Sequence, residues 1–214
     1  MIHPRSHWNP NASLRPCFPS LDSWVPPPPG WIKINFDSSV KSGGIVGAGY
    51  IIRDHYTNFI CCGGRRILTR VVPIAKKWAA LEGLKAIQCD TPRTMGIWFE
   101  GDSMKILQLI FNELERNRDS HNQTGLQSYC LDHQQYGVVD RLFRGSNFTS
   151  RDPILANIVN ILLSFAACRV SYIQRNNNSA ADFLTHYATL GDFCWEIDMA
   201  LPNDFCNILK MDVK

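Results

Sequence analysis

Three aspartates in this sequence stand where they could do chemistry together. Asp37 closes the apolar run WIKINF, Asp102 follows IWFEG, and Asp182 ends the segment RNNNSAAD. Carboxylates far apart in the chain, each at the end of a stretch able to form a strand or helix, suit a site that gathers two divalent cations. Two such ions about 3.5–4 Å apart can serve both ends of a displacement, one activating the attacking water and one neutralising the leaving oxygen.

The elements that must position these acids are legible from periodicity. Trp31–Phe36 alternates as a strand, a Gly-rich turn spans Lys41–Gly44, Ile45–Arg53 forms a second strand, and Phe59–Leu68 forms a third after the turn at Asp54–Asn58. Short turns between successive strands imply antiparallel pairing. From Val72 to Gln88, Ala75, Trp78, Ala79, Leu81, Leu84 and Ile87 recur at helical spacing, with Pro73 tolerable in the first turn. Met95–Phe99 reads as a short buried strand, and Asp102-Ser103 can cap a helix carrying Ile106, Leu109, Ile110 and Leu114. Residues 116–152 lose periodicity and read as a long irregular insertion. Order resumes with a helix at Pro153–Phe165, a strand at Cys168–Gln174, a helix at Ser179–Thr189 and a tail helix at Pro202–Leu209. Three strands followed by alternating helices and strands predict a mixed α/β sheet covered by helices.

Bulk properties bound the rest. The 214 residues allow one domain with appendages: a non-periodic segment at 1–23, a Pro-rich stretch at 24–30, and a domain over 31–214. A net charge of +3 permits a polyanionic partner without demanding one, and Arg65-Arg66 with Arg70, or Arg116 with Arg118, read as ordinary solvated arginines. No apolar run is long enough for a signal peptide or a membrane span. The eight cysteines form no CxxC pair, so reduced thiols in an intracellular protein are expected, and the N-x-S/T matches at Asn11, Asn122, Asn147 and Asn177 carry no glycan.

WVPPPPGWIKINFDSS, GAGYIIRD, AKKWAALEGLKAI, FEGDS and RNNNSAADFL, in that order, resemble the ribonuclease H type 1 family. The resemblance covers residues 24–112 and 154–214 and is nearest to the plant reverse-transcriptase-like branch related to retrotransposons; the C-terminal stretch with Trp195 and Pro202 also resembles that branch. It implies a ribonuclease H-like mixed five-stranded sheet, three antiparallel strands then two parallel ones, flanked by helices. It also implies endonucleolytic hydrolysis of the RNA strand of an RNA–DNA hybrid with two magnesium ions, by a monomer without membrane partners.

Carried over residue by residue, the resemblance makes Asp37, Asp102 and Asp182 the catalytic and metal-binding acids, and Ser38, Ser39 and Asn178 nucleic-acid-binding. Backbone beside the first strand would approach the minor groove, where 2′-hydroxyls distinguish RNA from DNA. Two positions depart from the family. Its helical glutamate is here Lys76, and a one-residue shift finds only Lys77. Glu82, six residues on, lies about 240° around the helix and points elsewhere. The histidine that often precedes the last acid by ten positions is Tyr172, whose phenol, with a pKa near 10 against about 6.5 for imidazole, shuttles protons poorly near neutrality.

An ammonium among carboxylates costs several kcal/mol of cation binding, since opposite charges about 4 Å apart are worth roughly 4 kcal/mol at an effective dielectric of 20. Lys76 can swing outward or pair with Asp37 or Asp102 in the place of a cation. Trp78 and Trp98 read as core, His55, His121, His133 and His186 as surface residues, and Gly43-Gly44 with Gly47-x-Gly49 as hairpin-turn glycines. Two functions are therefore expected: a hybrid ribonuclease of weakened activity, or a non-catalytic interaction module or transposon-derived relic of the same fold.

Overall fold

The computed structural model describes residues 24–41, 43–69, 71–90, 94–120, 129–131 and 152–212. The segment 1–23, Arg70 and most of the irregular stretch 116–152, including His121 and His133, lie outside the described residues.

The three alternating segments form the antiparallel strands β1 (Trp31–Val40), β2 (Ile45–Asp54) and β3 (Phe59–Leu68). Gly43 and Gly44, with φ of 90° and 77°, make the turn between the first two. The chain then crosses through helix α1 (Val72–Asp90) to β4 (Gly96–Gly101), which pairs parallel with β1 and sets Gly101 beside Phe36. Helix α2 (Met104–Ser120), the short strand β5 (Tyr129–Leu131) and helix α3 (Pro153–Leu163) lead to β6 (Cys168–Tyr172). Helix α4 (Ser179–Ala188), strand β7 (Phe193–Glu196) and helix α5 (Asn203–Asp212) close the domain. The sheet has seven strands in the order β5-β6-β4-β1-β2-β3-β7.

The expected five strands are β1 to β4 and β6; β5 and β7 extend the sheet at its two edges. Each is only a few residues long, too short for alternation to register. The stretch read as irregular from residue 116 starts helical, because α2 runs on to Ser120 past an exposed Glu113–Arg116 pair three residues apart, and it contains β5. Polar helix ends of this kind show no apolar stripe.

Ile32, Ile34 and Phe36 of β1 face α1 and join Ala79, Ala80, Leu84, Ile110, Ile158 and Leu162 in the main core. Trp98 is buried as expected, whereas Trp78 is only half-buried against that core. The opposite face of the sheet carries α4 and α5 over a smaller core of Ile51, Cys62, Leu184, Trp195 and Phe205. Gly47 and Gly49 lie inside β2 and not in the turn. A Cβ at Gly47 would press into the Thr185 carbonyl, and one at Gly49 would lie 2.7 Å from the Thr185 nitrogen, so the missing side chains let α4 sit directly on the strand. No disulfide joins Cys61, Cys62, Cys168, Cys194 or Cys206. Among the described residues no helix is long and apolar enough to cross a membrane.

The Pro-rich stretch at 24–30 is packed against the sheet. Trp24 is buried, its indole nitrogen donates to Asn35 Oδ1 at 2.8 Å, and the Val25 carbonyl accepts from Lys33 Nζ at 2.8 Å.

Candidate nucleic-acid interface

Parallel pairing of β4 with β1 fixes the centre of the site. It places Gly101 beside Phe36, so the next residues of both strands, Asp102 and Asp37, emerge together at the same end of the sheet. Helix α1 begins there too, with the Val71 carbonyl accepting from the Ile74 and Ala75 amides, and the following residue is Lys76. Its ammonium donates to Asp37 Oδ1 at 2.7 Å and also binds Asp102 Oδ1. Little of this is wet: the Lys76, Asp37 and Asp102 side chains are 14%, 2% and 8% exposed. Lys76 thus takes the inward of the two courses open to it.

Electrostatics follow from that burial. Desolvation pushes the Asp37 carboxyl up to about 6, with the Lys76 ammonium pulling it down and the Asp102 carboxylate pushing it further up. Desolvation also works against the Lys76 ammonium, but the combined pull of Asp37 and Asp102 wins, and its pKa lies above the ordinary lysine value. The pair is held as an ion pair near neutral pH, and an ammonium fills the space between the two carboxylates.

The third expected acid is placed differently. Asp182 sits on α4, where its carboxylate faces Arg175 Nη2 at 3.5 Å and His186 Nδ1 at 3.6 Å. Among the described residues, no group of three or more His, Cys, Asp or Glu side chains is arranged to hold a metal ion. The donor set therefore does not fit two magnesium ions, which need several hard anionic oxygens and tolerate no cation among them. Lys77 turns away to bind Asp152, which caps α3, and Glu82 pairs with Arg65 and Lys85, so neither replaces the missing acid. Tyr172 closes β6 beside Gly101 and packs half-buried against the main core.

Around the Lys76 centre lies a cavity of about 390 Å³. Ser38 and Ser39 line it, and both hydroxyls are buried without a hydrogen-bond partner. Asn178 is 2% exposed and donates from Nδ2 to the Phe36 carbonyl at 3.2 Å, tying α4 to β1. Three further basic or ionisable groups, Lys41, Arg175 and His186, also line the cavity and were not singled out as site residues by the sequence. His186 follows Asp182 by four residues on a helix, a spacing that puts both on one face and was available as a signal. Lys41 carried none.

Comparison with known proteins agrees with this architecture. A family described as reverse transcriptase-like matches residues 35–135. LC11 ribonuclease H1, isolated from compost by a metagenomic approach, superposes with a TM-score of 0.52 at 18% identity, covering 75% of this chain and 96% of that one. The chain has a ribonuclease H-like fold. The same LC11 enzyme in complex with an RNA/DNA hybrid gives a TM-score of 0.50 at 20% identity, over 74% and 96% of the two chains. The N-terminal ribonuclease H domain of a Mycobacterium tuberculosis protein gives 0.50 at 14% identity, over 74% and 93%. No curated protein matches the chain. In a ribonuclease H-like domain the end of the sheet that holds Asp37 and Asp102 is also where Lys76, Ser38 and Ser39 converge.

Proposed function

We propose that this protein is a nucleic-acid-binding domain of ribonuclease H type whose target is an RNA–DNA hybrid and whose hydrolytic step is weakened. The observation that carries this reading is the Lys76 ammonium seated on Asp37 and Asp102, in the position where hybrid hydrolysis would need two magnesium ions. The match to a reverse transcriptase-like family and the likeness to an enzyme solved with an RNA/DNA hybrid support the target. We further propose a retrotransposon-related origin of the plant branch and action as an intracellular monomer.

A hybrid with labelled RNA, incubated in magnesium or manganese, tests this. Binding with little or no cutting is expected. The double variant Lys76→Glu, Tyr172→His restores an acid and an imidazole, and cleavage should rise by about two orders of magnitude or more, since each 1.36 kcal/mol regained is tenfold. Vigorous cutting by the unaltered chain would defeat the weakened-enzyme reading, and absence of hybrid binding would defeat the target.

A further inference from the structure

The cavity beside Lys76 has the composition of an anion seat. Its basic side chains, Lys41, Lys76 and Arg175, outnumber its two carboxylates, Asp37 and Asp102, and those two are already neutralised in part by Lys76. An ammonium carries three N–H donors, of which Asp37 and Asp102 engage two, so one remains. The two serine hydroxyls supply the second observation. Ser38 is 7% exposed, its Oγ and that of Ser39 have no hydrogen-bond partner, and both residues line the cavity. Burying hydroxyls unpaired costs free energy, and an oxygen-rich ligand that accepts from both removes the cost. Arg175 is 72% exposed at the mouth, and its approach to Asp182 at 3.5 Å is too long for a strong bidentate pair, leaving N–H donors for a ligand.

We infer that this cavity seats one phosphodiester of a nucleic-acid backbone without a divalent cation, the Lys76 ammonium standing in for the metal. Tetrahedral phosphate offers unesterified oxygens to Ser38, Ser39 and Lys76 inside and to Arg175 and Lys41 at the rim. Because a fixed internal cation replaces exchangeable ones, binding persists when magnesium is removed. This inference rests on the nucleic-acid reading above and adds to it how the phosphate is held.

Fluorescence anisotropy of a short RNA–DNA hybrid with the full chain tests it, at matched ionic strength with magnesium or with EDTA. Affinity should be equal in the two buffers. In the variant Lys41→Gln, Arg175→Gln, whose altered side chains are on the surface, affinity should fall several-fold. The slope of log affinity against log salt should drop by about 0.9 for each phosphate no longer neutralised. If the hybrid binds only with magnesium, or if the variant keeps both affinity and slope, the inference is overturned while hybrid binding stands. If the hybrid does not bind at all, the proposed target fails, and titration with inorganic phosphate decides the seat alone. Saturable shifts of the Ser38 and Ser39 amide resonances would then support an anion seat for free phosphate, and unmoved resonances would overturn it.

Discussion

Lys76 is held by two acids at once, and the cost of losing it follows from where the three groups lie. Removing one partner from a buried ion pair strands the other, which typically costs about 3–5 kcal/mol. Since Lys76 is 14% exposed, Lys76→Met should cost about 3 kcal/mol in urea unfolding at neutral pH. The loss should also grow with pH. Asp37 already has a folded pKa of about 6, above its unfolded value, so its ionisation destabilises the fold as pH rises from about 4 to 6, and the penalty is complete above that. Without the ammonium its pKa climbs further. The difference between variant and wild type should therefore be small at pH 4.5 and near its maximum at pH 8; a pH-independent difference would contradict the pairing. Sequence spacing was enough to single out Lys76 and to dismiss Lys77 and Glu82. It could not show that Asp182 would be engaged by Arg175 and His186, because that depends on how the turn at Arg175–Asn177 folds back over α4.

At the scale of elements, the approach of α4 to β2 decides whether the Asp182 group reaches the cavity. Gly47→Ala forces a methyl against the Thr185 backbone, and such overpacking costs about 1–3 kcal/mol because two backbones must part. Gly43→Ala meets nothing within 4 Å and bears only the strain of a φ of 90°, about 1 kcal/mol. Thermal unfolding should rank Gly47→Ala below Gly43→Ala, and only the former should shift the α4 amide resonances. Reading both glycine pairs as hairpin residues succeeded at Gly43-Gly44, where the turn demands positive φ. It failed at Gly47 and Gly49, because close packing of a helix from more than a hundred residues away leaves no local trace. The long strands were visible through alternation and α1 through its apolar spacing, whereas β5 and β7 owe their existence to a neighbour's edge.

Over the whole molecule, the polar side of β1 is not a wet face. Lys33, at 1% exposure, bonds to Glu100 at 2.9 Å and stacks 3.6 Å over Trp98, while Asn35 joins Trp24, Glu100 and Arg53. Alternation alone treats Lys33 and Asn35 as outward, since buried charges are rare unless paired and their partners lie far along the chain. Burial pulls the Lys33 ammonium down to about 8, against the attraction of Glu100. Its folded pKa lies below the unfolded one, so the folded state releases the proton first. Stability from this group accordingly rises with pH between about 8 and 10.5. Carbon-13 NMR of the lysine side chains should show one titrating near 8 while most hold to about 10.5. Arg53 completes the network through Asp212 at 3.0 Å, both nearly buried, and Asp212→Ala should cost about 3–5 kcal/mol by chemical denaturation.

Arg53 also stacks at 3.7 Å over the Trp24 ring, so one guanidinium receives the first described residue on one side and the last on the other. The two ends of the domain are thereby stitched to a common knot. A circularly permuted chain, with a short linker bridging this seam and new termini opened at the Gly43-Gly44 turn, would keep the knot intact and leave the sheet order unchanged.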